Sequence, residues 1–527
     1  MNIANDSRER HTLPPFREKL PGNPITSGRI GVKISENCAS TREGQLLLWM
    51  ICNLTVRLKG VMKQIELVIP HNIHLSKPNF IPFVNVNDDY YLHDIITECA
   101  KICSRECKVI TSSRSDFEQE NDAIILLGHD TETDVTSKFV VRAVSDEWLA
   151  YVGKQNWHPR ILSTNSINPF GAFSAACISV GDIFKFIGGI TEKHGTYASK
   201  LCFSSYDFSV KEIDGEEYTV ASNPSFPQHV EIGKLYVVGA GAVAHSVCHS
   251  LYSTPGITGE LIIIDRNSNE NGELEVIDDT NLNRYIMASN MDKNKQKGNL
   301  LASIMNHKKP SISAIGFDES FEDYVNKNAD SYGHILSCVD TNLARHAIQD
   351  QLPKFIHGGS TYEMGIQTSF YDLIRNTQCL KCHNPISLES ETDEDVIKRL
   401  KSLGSEDIRQ ESIKAGIDTK QLLQYLEDPK CGTLGNESIQ KFAKIKTQTQ
   451  ASVSFVSAMS GFMLAAELIK SKLTSGFQTI LNCNPYTDFV FNFWNNSGYT
   501  RITKPNENCL CNLGNPSPRM VHASCWN

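Results

Sequence analysis

The stretch KLYVVGAGAVAHSVCHSL, residues 234–251, predicts a buried strand, a glycine turn and a helix in direct succession. Gly239 and Gly241 allow the backbone to turn tightly and to approach a phosphate, whose charge the amides and dipole of the helix favour. The next strand, GELIIID, ends at Asp265, which could accept hydrogen bonds from ribose hydroxyls. The stretch therefore predicts a Rossmann-type nucleotide site, without separating a dinucleotide from ATP.

Strands and helices alternate along both halves of the chain. Residues 42–59 carry leucines at helical spacing, and residues 64–69 and 122–128 predict short buried strands. This alternation favours a parallel sheet with helices on its faces. The segments SAACISVGDIFK and MSGFMLAAELIK align when Lys185 is set against Lys470. The alignment predicts that the domain is duplicated.

Composition divides the chain into segments. Residues 1–40 are rich in proline, glycine and polar residues and predict an extended arm, and residues 41–206 form the first α/β domain. Residues 207–232 are polar and contain proline, as expected of a linker. The second domain extends over residues 233–527 and includes a polar, charge-rich segment at 387–449.

Composition also excludes some classes of protein. A length of 527 residues with 40% hydrophobic and 21% charged residues is ordinary for a globular protein of several domains. The net charge of −9, without a basic block, disfavours nucleic-acid binding. The amino terminus lacks a signal sequence, and the apolar stretch 453–469 is broken by serines and Glu467. We therefore expect a cytoplasmic protein without a membrane partner, in which the 16 cysteines are metal ligands or reactive thiols more often than disulfides.

The segment EVIDDTNLNRYI, residues 275–286, is unlike a dehydrogenase. Its NLNR resembles the ATP-contacting segment of the ubiquitin-activating, ThiF and MoeB superfamily. The resemblance implies that ATP is the nucleotide, that Asn281 and Arg284 contact its phosphates, and that Lys297 is the phosphate lysine. Cationic and amide groups there would neutralise charge that builds up on departing pyrophosphate. Lys295 stays open as the alternative lysine, and a solvated polar loop is the structural alternative.

The segment SCVDTNLAR, residues 337–345, resembles the family's Asp-x-x-x-x-Arg after a buried strand. The resemblance implies that Asp340 holds Mg2+ against the phosphates, since a hard cation prefers oxygen ligands. An aspartate at a strand end can equally be a helix cap. Arg345 is expected to position or pack locally. Together with Arg284 and Lys297, Asp340 completes the implied adenylation set.

Two cysteine pairs have the spacing of a structural zinc site or come close to it. The family has two Cys-x-x-Cys pairs in this order, and the resemblance implies these ligands here: Cys379, Cys382, Cys509 and Cys511. The second pair departs from the pattern as Cys-x-Cys, so Cys525 could replace one ligand, and His383 is a further candidate. Thiols without a metal are the alternative.

Cys431, in DPKCGT, lies in the polar segment ahead of the helix ASVSFVSAMSG, where activating enzymes carry a catalytic cysteine in a crossover loop. The resemblance implies that its thiolate attacks an acyl-adenylate and forms a thioester. The sequence offers only Lys430 to favour the thiolate. An unreactive loop cysteine is the alternative.

The resemblance covers residues 230–527 and implies an α/β fold of two ThiF-like Rossmann-type domains that form a pseudo-dimer, with a catalytic-cysteine insert and a zinc knuckle. The first domain looks like an inactive copy, since it lacks the glycine turn, NLxR and the zinc pair. Its NPFGA helix and the SVSFVSA helix look like those of bacterial relatives in antiphage ubiquitin-like conjugation operons. A fused chain needs no second subunit for this core, and homodimerisation stays open.

The implied activity is ATP-dependent adenylation of the carboxyl terminus of a ubiquitin-like protein, followed by a thioester and transfer to a conjugating enzyme. A sulfur-carrier adenylyltransferase of the ThiF and MoeB type and a non-catalytic scaffold are the alternatives. The chain departs from the family at Ala244, at the insertion 266–274 and at Tyr285, where the family commonly has Gln. The family's arginine from the opposite lobe has several candidates: Arg8, Arg10, Arg17 and Arg29.

Overall fold

The computed structural model describes the greater part of the chain. The described residues are 28–104, 106–112, 117–132, 138–159, 165–190, 195–213, 223–266, 274–307, 311–328, 331–371, 373, 377–385, 393–415, 417–427, 442, 453–473, 486–514 and 516–526. They contain two sheets of eight strands each, one in each half of the chain.

The first sheet belongs to the first lobe. Its strands are β1 (Gly28–Ile34), β2 (Met62–Val68), β3 (Lys108–Thr111), β4 (Ala123–Leu127), β5 (Phe139–Asp146), β6 (Leu149–Lys154), β7 (Lys200–Ser204) and β8 (Val210–Glu212). They lie in the order β3-β2-β1-β4-β5-β6-β7-β8, in which neighbours from β3 to β5 are parallel and those from β5 to β8 antiparallel. Every residue of β4 is buried, as expected of a parallel strand covered on both faces.

The second sheet belongs to the second lobe. Its strands are β9 (Val230–Val238), β10 (Ile257–Asp265), β11 (Ile312–Asp318), β12 (His334–Ser337), β13 (Phe355–Tyr362), β14 (Gly365–Tyr371), β15 (Asp488–Asn492) and β16 (Ser497–Arg501). Their order is β11-β10-β9-β12-β13-β14-β15-β16, and the change from parallel to antiparallel pairing comes at the matching strand, β13. The identical order of the two sheets confirms the predicted α/β fold class of two Rossmann-type domains.

Helices cover the sheets and connect their strands. In the first lobe they are α1 (Glu36–Ala39), α2 (Arg42–Val56), α3 (Leu92–Cys103), α4 (Phe117–Glu120) and α5 (Phe170–Ile187). In the second lobe they are α6 (Ala242–Ser253), α7 (Lys297–Asn306), α8 (Phe321–Lys327), α9 (Asn342–Asp350), α10 (Leu380–His383), α11 (Asp393–Lys401), α12 (Ser405–Ala415), α13 (Thr419–Glu427), α14 (Ser454–Leu473) and α15 (Pro518–Trp526).

The two lobes share one hydrophobic core. Helices α2 and α5 of the first lobe meet α6 and α14 of the second, and buried apolar side chains continue from one sheet to the other. The ring centroids of Phe173 and Phe462 lie 4.6 Å apart, and the Trp49 indole N–H donates to His249 Nε2 at 3.1 Å. These contacts join the duplicated domains into the predicted pseudo-dimer.

The duplication extends to matching ion pairs. In α5, Lys185 Nζ lies 2.7 Å from Asp182 Oδ1, and in α14, Lys470 pairs with Glu467 at the same spacing of three residues. Each ammonium also donates to a backbone carbonyl of the first lobe, Lys185 to Thr196 at 2.6 Å and Lys470 to Tyr206 at 2.7 Å. The two lysines aligned in the sequence therefore form the same ion pair on α5 and α14, although the carbonyl that Lys185 binds lies in its own lobe and the one that Lys470 binds lies in the opposite lobe.

Two domain boundaries differ from the prediction. Strand β1 lies within the predicted arm, residues 1–40, yet it pairs with both β2 and β4 at the centre of the first sheet. Its glycines weaken the strand signal, but Gly31 is required because a Cβ there would come within 2.6 Å of the Phe117 ring. Strand β8 and the first residues of β9 lie within the predicted linker, residues 207–232, since polar edge residues carry little apolar pattern.

Within the predicted insert, residues 387–449, helices α11, α12 and α13 pack around a small core of their own. Val396, Leu400 and Leu422 are fully buried in it. This core is separate from the one shared by the two lobes.

Helix α5 is long and apolar enough to cross a membrane by length and composition alone, with a mean hydropathy of 1.5. Nevertheless, 94% of it is buried inside the protein. Its apolar surface is taken up by α2, α14 and the first sheet.

Candidate functional site

The glycine turn lies at the carboxyl end of β9. Gly239 has a φ of +93°, and a Cβ there would come within 2.8 Å of the Cys338 carbonyl oxygen, so both the conformation and the space require glycine. A Cβ at Gly241, before the first turn of α6, would meet only the Tyr285 hydroxyl, at 3.9 Å. The turn thus leaves room above the amino end of α6, where helix amides favour an anion.

Asp265, at the end of β10, faces this turn. Its Oδ1 accepts the Ala240 N–H at 3.0 Å, whereas its Oδ2 is buried and has no hydrogen-bond partner among the described residues. Burial raises the pKa of Asp265 to about 6, against the opposing charge of Lys297. An unpartnered buried carboxylate oxygen suits a hydroxyl donor such as those of a ribose. The residues present therefore fit a nucleotide.

Arg284 and Asn281 lie in one loop beside this site. Asn281 begins a short 3-10 helix, and its side-chain oxygen accepts the Asp278 N–H at 3.0 Å, so this oxygen is used to close the local turn. Arg284 ends the same helix and is half-buried. Its charge lowers the pKa of Tyr285, whose net rise is due mainly to burial. The loop therefore brings Arg284 close to the tyrosine that overlooks the glycine turn.

Lys297, rather than Lys295, lies at this site. Lys297 is the first residue of α7, and its Nζ lies 3.0 Å from Glu275 Oε2. Burial would lower the pKa of Lys297, but the neighbouring Tyr285 and Asp265 raise it above its ordinary value. Lys295 is half exposed and pairs instead with a different acidic residue of the loop. The structure thus distinguishes two lysines that the sequence left open.

Asp340 is exposed just after β12, at the same edge of the sheet. The segment that carries Asp340 lies against the glycine turn, since a Cβ on Gly239 would come within 3.1 Å of Val339 N. The negative charge of Asp340 adds to the rise that burial causes in the pKa of both Asp265 and Tyr285. Arg345 donates to the Val339 carbonyl at 3.1 Å and to Asn342 Oδ1 at 2.8 Å. Arg345 therefore holds the turn that follows β12, and Asp340 lies exposed within that turn.

The four cysteines of the predicted zinc knuckle come together. Their Sγ atoms all lie within 4.8 Å of one another, and these are Cys379, Cys382, Cys509 and Cys511. Neighbouring sulfurs are separated by 3.5 to 3.7 Å. Four thiolates about 2.3 Å from a tetrahedral Zn2+ would lie about 3.8 Å apart, so the cluster fits zinc.

The other candidate ligands lie outside this cluster. Cys525 is exposed on α15. His383 Nδ1 lies 2.5 Å from the Tyr371 hydroxyl oxygen, and its Nε2 accepts a hydrogen bond from the Gln367 amide at 2.8 Å. Both thiols of the Cys-x-Cys pair therefore belong to the four-cysteine cluster, although the pair departs from the family spacing.

Several predicted residues are not placed. Cys431 lies outside the described residues, as do three of the candidate arginines, Arg8, Arg10 and Arg17. Arg29 is exposed at the amino end of β1, where its backbone N–H donates to Asp122 Oδ2 at 2.8 Å.

The matching edge of the first lobe is filled by side chains. Gly128 has a φ of +97°, and a Cβ there would lie 2.9 Å from Cys38 Cβ and 3.0 Å from Ser35 Oγ. The Ser35 hydroxyl in turn donates to Asp130 Oδ1 at 2.6 Å. Side chains thus occupy the position where the second lobe has its open glycine turn.

Two residues of the site were not assigned from the sequence. Glu275 holds Lys297, and the Tyr285 hydroxyl lies 3.9 Å from the position of a Cβ on Gly241, with Tyr285 also raising the pKa of Lys297. The signal for Tyr285 was its departure from the family's Gln. Glu275 carried no signal beyond its place in an acidic stretch.

Two family models match the chain. The model described as "ThiF family" matches residues 224–513, and the model described as "BilD N-terminal domain" matches residues 29–203. Together they cover both lobes.

Individual relatives are distant. A protein of Sinorhizobium fredii, "Uncharacterized protein y4jF", is 22% identical over 357 residues, which is 61% of this chain and 64% of that protein. The chain therefore spans less than two thirds of that relative's length. Among solved structures, Escherichia coli MccB with MccA-N7isoASN is 14% identical with a TM-score of 0.34, covering 54% of this chain and 67% of its own. E. coli MccB with AMPCPP and SeMet MccA is also 14% identical, with a TM-score of 0.33, covering 53% and 66%.

Proposed function

The chain belongs to the ThiF family, and from that premise we propose that it is an ATP-dependent activating enzyme for a ubiquitin-like protein. It adenylates the carboxyl terminus of that protein, takes the acyl group onto Cys431 as a thioester and passes it to a cysteine of a conjugating enzyme. The observation that carries the adenylation step is the unpartnered buried Oδ2 of Asp265, beside an open glycine turn and near Lys297.

In the first step, a carboxylate oxygen of the modifier attacks the α-phosphate of ATP, and pyrophosphate leaves. Asp265 accepts hydrogen bonds from the ribose hydroxyls, and the amino end of α6 faces the phosphates. Arg284 and Lys297 neutralise the charge that builds up on the departing pyrophosphate. Asp340 is the residue that would hold Mg2+, which supplies further neutralisation of phosphate charge when bound.

In the second step, the Cys431 thiolate attacks the carbonyl carbon of the acyl-adenylate. A thioester bond forms, the bond to the phosphate oxygen breaks and AMP leaves. The thiol proton is lost to solvent before the attack, and Lys430, its neighbour in sequence, favours the thiolate. The acyl group then passes to the conjugating enzyme by thiol exchange.

Zinc takes no part in the proposed reaction. Zn2+ held by the four clustered cysteines has a structural role, because all four positions of a tetrahedral site are occupied by thiolates. The enzyme works in a reducing, cytoplasmic setting, in which its 16 cysteines stay available as metal ligands or as a nucleophile. We place the activity in a bacterial ubiquitin-like conjugation pathway of antiphage defence, on the resemblance of the small-residue helices alone.

The first test is ATP–pyrophosphate exchange by the purified full chain, with candidate ubiquitin-like proteins encoded near its gene. Exchange that depends on the modifier and on its free carboxyl terminus is expected. Asp340→Ala should abolish exchange while nucleotide binding persists. If the wild type binds ATP but exchanges nothing with any candidate, the chain is a scaffold and the enzymatic proposal fails.

The second test concerns Cys431. The wild type should form a modifier adduct that thiol reductants remove, and Cys431→Ala should lose this adduct while keeping exchange. Cys525→Ala is the matched control, since Cys525 is exposed and lies outside the zinc cluster. An adduct that persists in Cys431→Ala refutes the assignment of the nucleophile. Accumulation of a modifier thiocarboxylate, given a sulfur donor, would instead indicate a sulfur-carrier adenylyltransferase.

A further inference from the structure

Arg57 of the first lobe reaches into the second lobe and binds the loop that carries Arg284. Arg57 follows α2 and is 1% exposed. Its Nη1 donates to the Leu282 carbonyl at 2.6 Å, and its Nη2 donates to the Ala288 carbonyl at 2.7 Å. One guanidinium thus bridges two carbonyls on either side of the predicted phosphate contact.

Asn53, one turn earlier on α2, completes the contact. Its Oδ1 accepts from Arg57 Nε at 2.7 Å, and its Nδ2 donates to the Ile286 carbonyl at 2.9 Å. Asn53 is fully buried. Because the amide fixes the planar guanidinium and binds the loop as well, the two side chains act as one unit across the boundary between the lobes.

The bonded carbonyls enclose the part of the loop that faces the nucleotide site. Tyr285 lies between Leu282 and Ile286 in the chain, and its ring packs against that of His245 of α6, tilted by 30° with a centroid separation of 4.5 Å. Its hydroxyl lies 3.9 Å from the position of a Cβ on Gly241. A shift of these carbonyls would therefore move Tyr285 and Arg284 relative to the glycine turn.

We infer that Arg57 and Asn53 are positioning residues for the nucleotide site, through which the first lobe holds the 281–288 loop of the second lobe over the glycine turn. This inference rests on the proposed function for its effect on ATP. The first lobe thereby contributes to the geometry of the nucleotide site in the second lobe.

A matched control lies on the same helix. Arg42 is also a buried cation of α2 that crosses between the lobes, donating to the Ser253 carbonyl at 2.8 Å. It also donates to the Pro78 carbonyl at 2.8 Å and lies over the Phe80 ring. Arg42 binds the carboxyl end of α6, at the opposite end of that helix from the glycine turn. Its loss should affect the packing of the lobes and leave the loop in place.

The test compares Arg57→Met with Arg42→Met in the full-length protein. Arg57→Met should speed hydrogen–deuterium exchange across residues 281–288 and raise KM for ATP in pyrophosphate exchange at least about tenfold, with a smaller fall in kcat. Arg42→Met should lower the thermal unfolding midpoint about as much as Arg57→Met does. It should leave the hydrogen–deuterium exchange of residues 281–288 and the KM for ATP as in the wild type. Arg57→Lys, which keeps the charge and loses the fork, should fall between the wild type and Arg57→Met.

Unchanged exchange of the loop and unchanged KM in Arg57→Met would overturn the inference, as would equal effects of Arg42→Met. Asn53→Asp serves if Arg57→Met does not fold, since it keeps an acceptor for Arg57 Nε, removes the donor to Ile286 and sets a carboxylate oxygen against that carbonyl. It should produce the same faster loop exchange. If the wild type neither binds ATP nor exchanges pyrophosphate, the proposed function fails, whereas hydrogen–deuterium exchange without nucleotide still tests the contact.

Discussion

Asp265 combines burial, one backbone hydrogen bond and one unpartnered oxygen at the end of a central strand. Desolvation raises the pKa of this carboxyl to about 6, and the nearby Lys297 limits the rise. A hydrogen bond donated by a ribose hydroxyl to Oδ2 favours the ionised form of Asp265. Binding of nucleotide and ionisation of Asp265 are therefore coupled.

We predict that affinity for ATP depends on the ionisation of Asp265. The free protein has its carboxylate ionised above about pH 6, so affinity should be full there and fall about tenfold per pH unit below it. Asp265→Asn should weaken binding at neutral pH and flatten this dependence. Calorimetric titration between about pH 5 and 8 measures both. Equal slopes in both proteins would instead assign the pH dependence to the nucleotide's own phosphates.

Tyr285 offers a second test at this scale. Because its hydroxyl lies 3.9 Å from the position of a Cβ on Gly241, at the glycine turn, Tyr285→Phe should weaken ATP binding by about 1 kcal/mol, or about fivefold. Tyr252→Phe is the control, since Tyr252 is buried near the far end of α6. Equilibrium binding of ATP to the three proteins measures the effect. No difference between the two variants would show that the Tyr285 hydroxyl does not contact the nucleotide.

Among single residues, the local sequence pattern was enough to predict that Gly239 lies in a tight turn and that Asp265 ends the next strand. Both features depend on residues that are adjacent in the chain. It was not enough to choose between Lys295 and Lys297. Both lie just before α7 or at its start, and only the fold shows that Lys297 points to Glu275 while Lys295 pairs elsewhere in the loop.

At the scale of elements, the four-cysteine cluster joins the carboxyl-terminal tail to the second lobe. Cys379 caps the amino end of α10, and Cys509 precedes a short 3-10 helix of the tail. Helix α15 follows, and the Trp526 indole donates to the Leu352 carbonyl at 2.9 Å. The apolar cluster around these cysteines is separate from the core that the two lobes share.

We predict that the protein binds one Zn2+ at this cluster and that Cys511→Ser reduces the bound zinc and increases hydrogen–deuterium exchange of residues 509–526. The reason is that a closed thiolate site contributes folding free energy only with all of its ligands. Metal analysis and exchange measure the two effects. Cys525→Ser should retain both zinc and protection, and loss of zinc in that variant would contradict the assigned ligands.

At the scale of the whole molecule, the two lobes are bound by one continuous core rather than by a thin interface. Phe173 of α5 contacts Phe462 of α14, and Phe184 of α5 lies 5.5 Å from Phe455 of α14 between ring centroids. Apolar side chains of both sheets continue into these helices. Separation of the two lobes would therefore expose a large apolar surface to water.

We therefore predict one cooperative unfolding transition for both lobes. Phe462→Ala should lower the free energy of unfolding by about 3–5 kcal/mol and shift the whole transition, because it opens a cavity where the lobes meet. Tyr499→Ala is the control, since Tyr499 is 54% exposed and should change stability by less than about 0.5 kcal/mol. Calorimetry and hydrogen exchange report on the two lobes. Two separate transitions, of which only one shifts, would refute the prediction.

The sequence by itself determined the fold class, the duplication, the glycine turn with its aspartate and the cysteine pairs. Each of these depends on residues close together in the chain or on a pattern repeated along it. The tertiary structure decided which lysine faces the site and which cysteines cluster. It alone revealed that Arg57 binds the Leu282 carbonyl, 225 residues away. Backbone carbonyls carry no residue identity, so a contact of this kind leaves no pattern in the sequence.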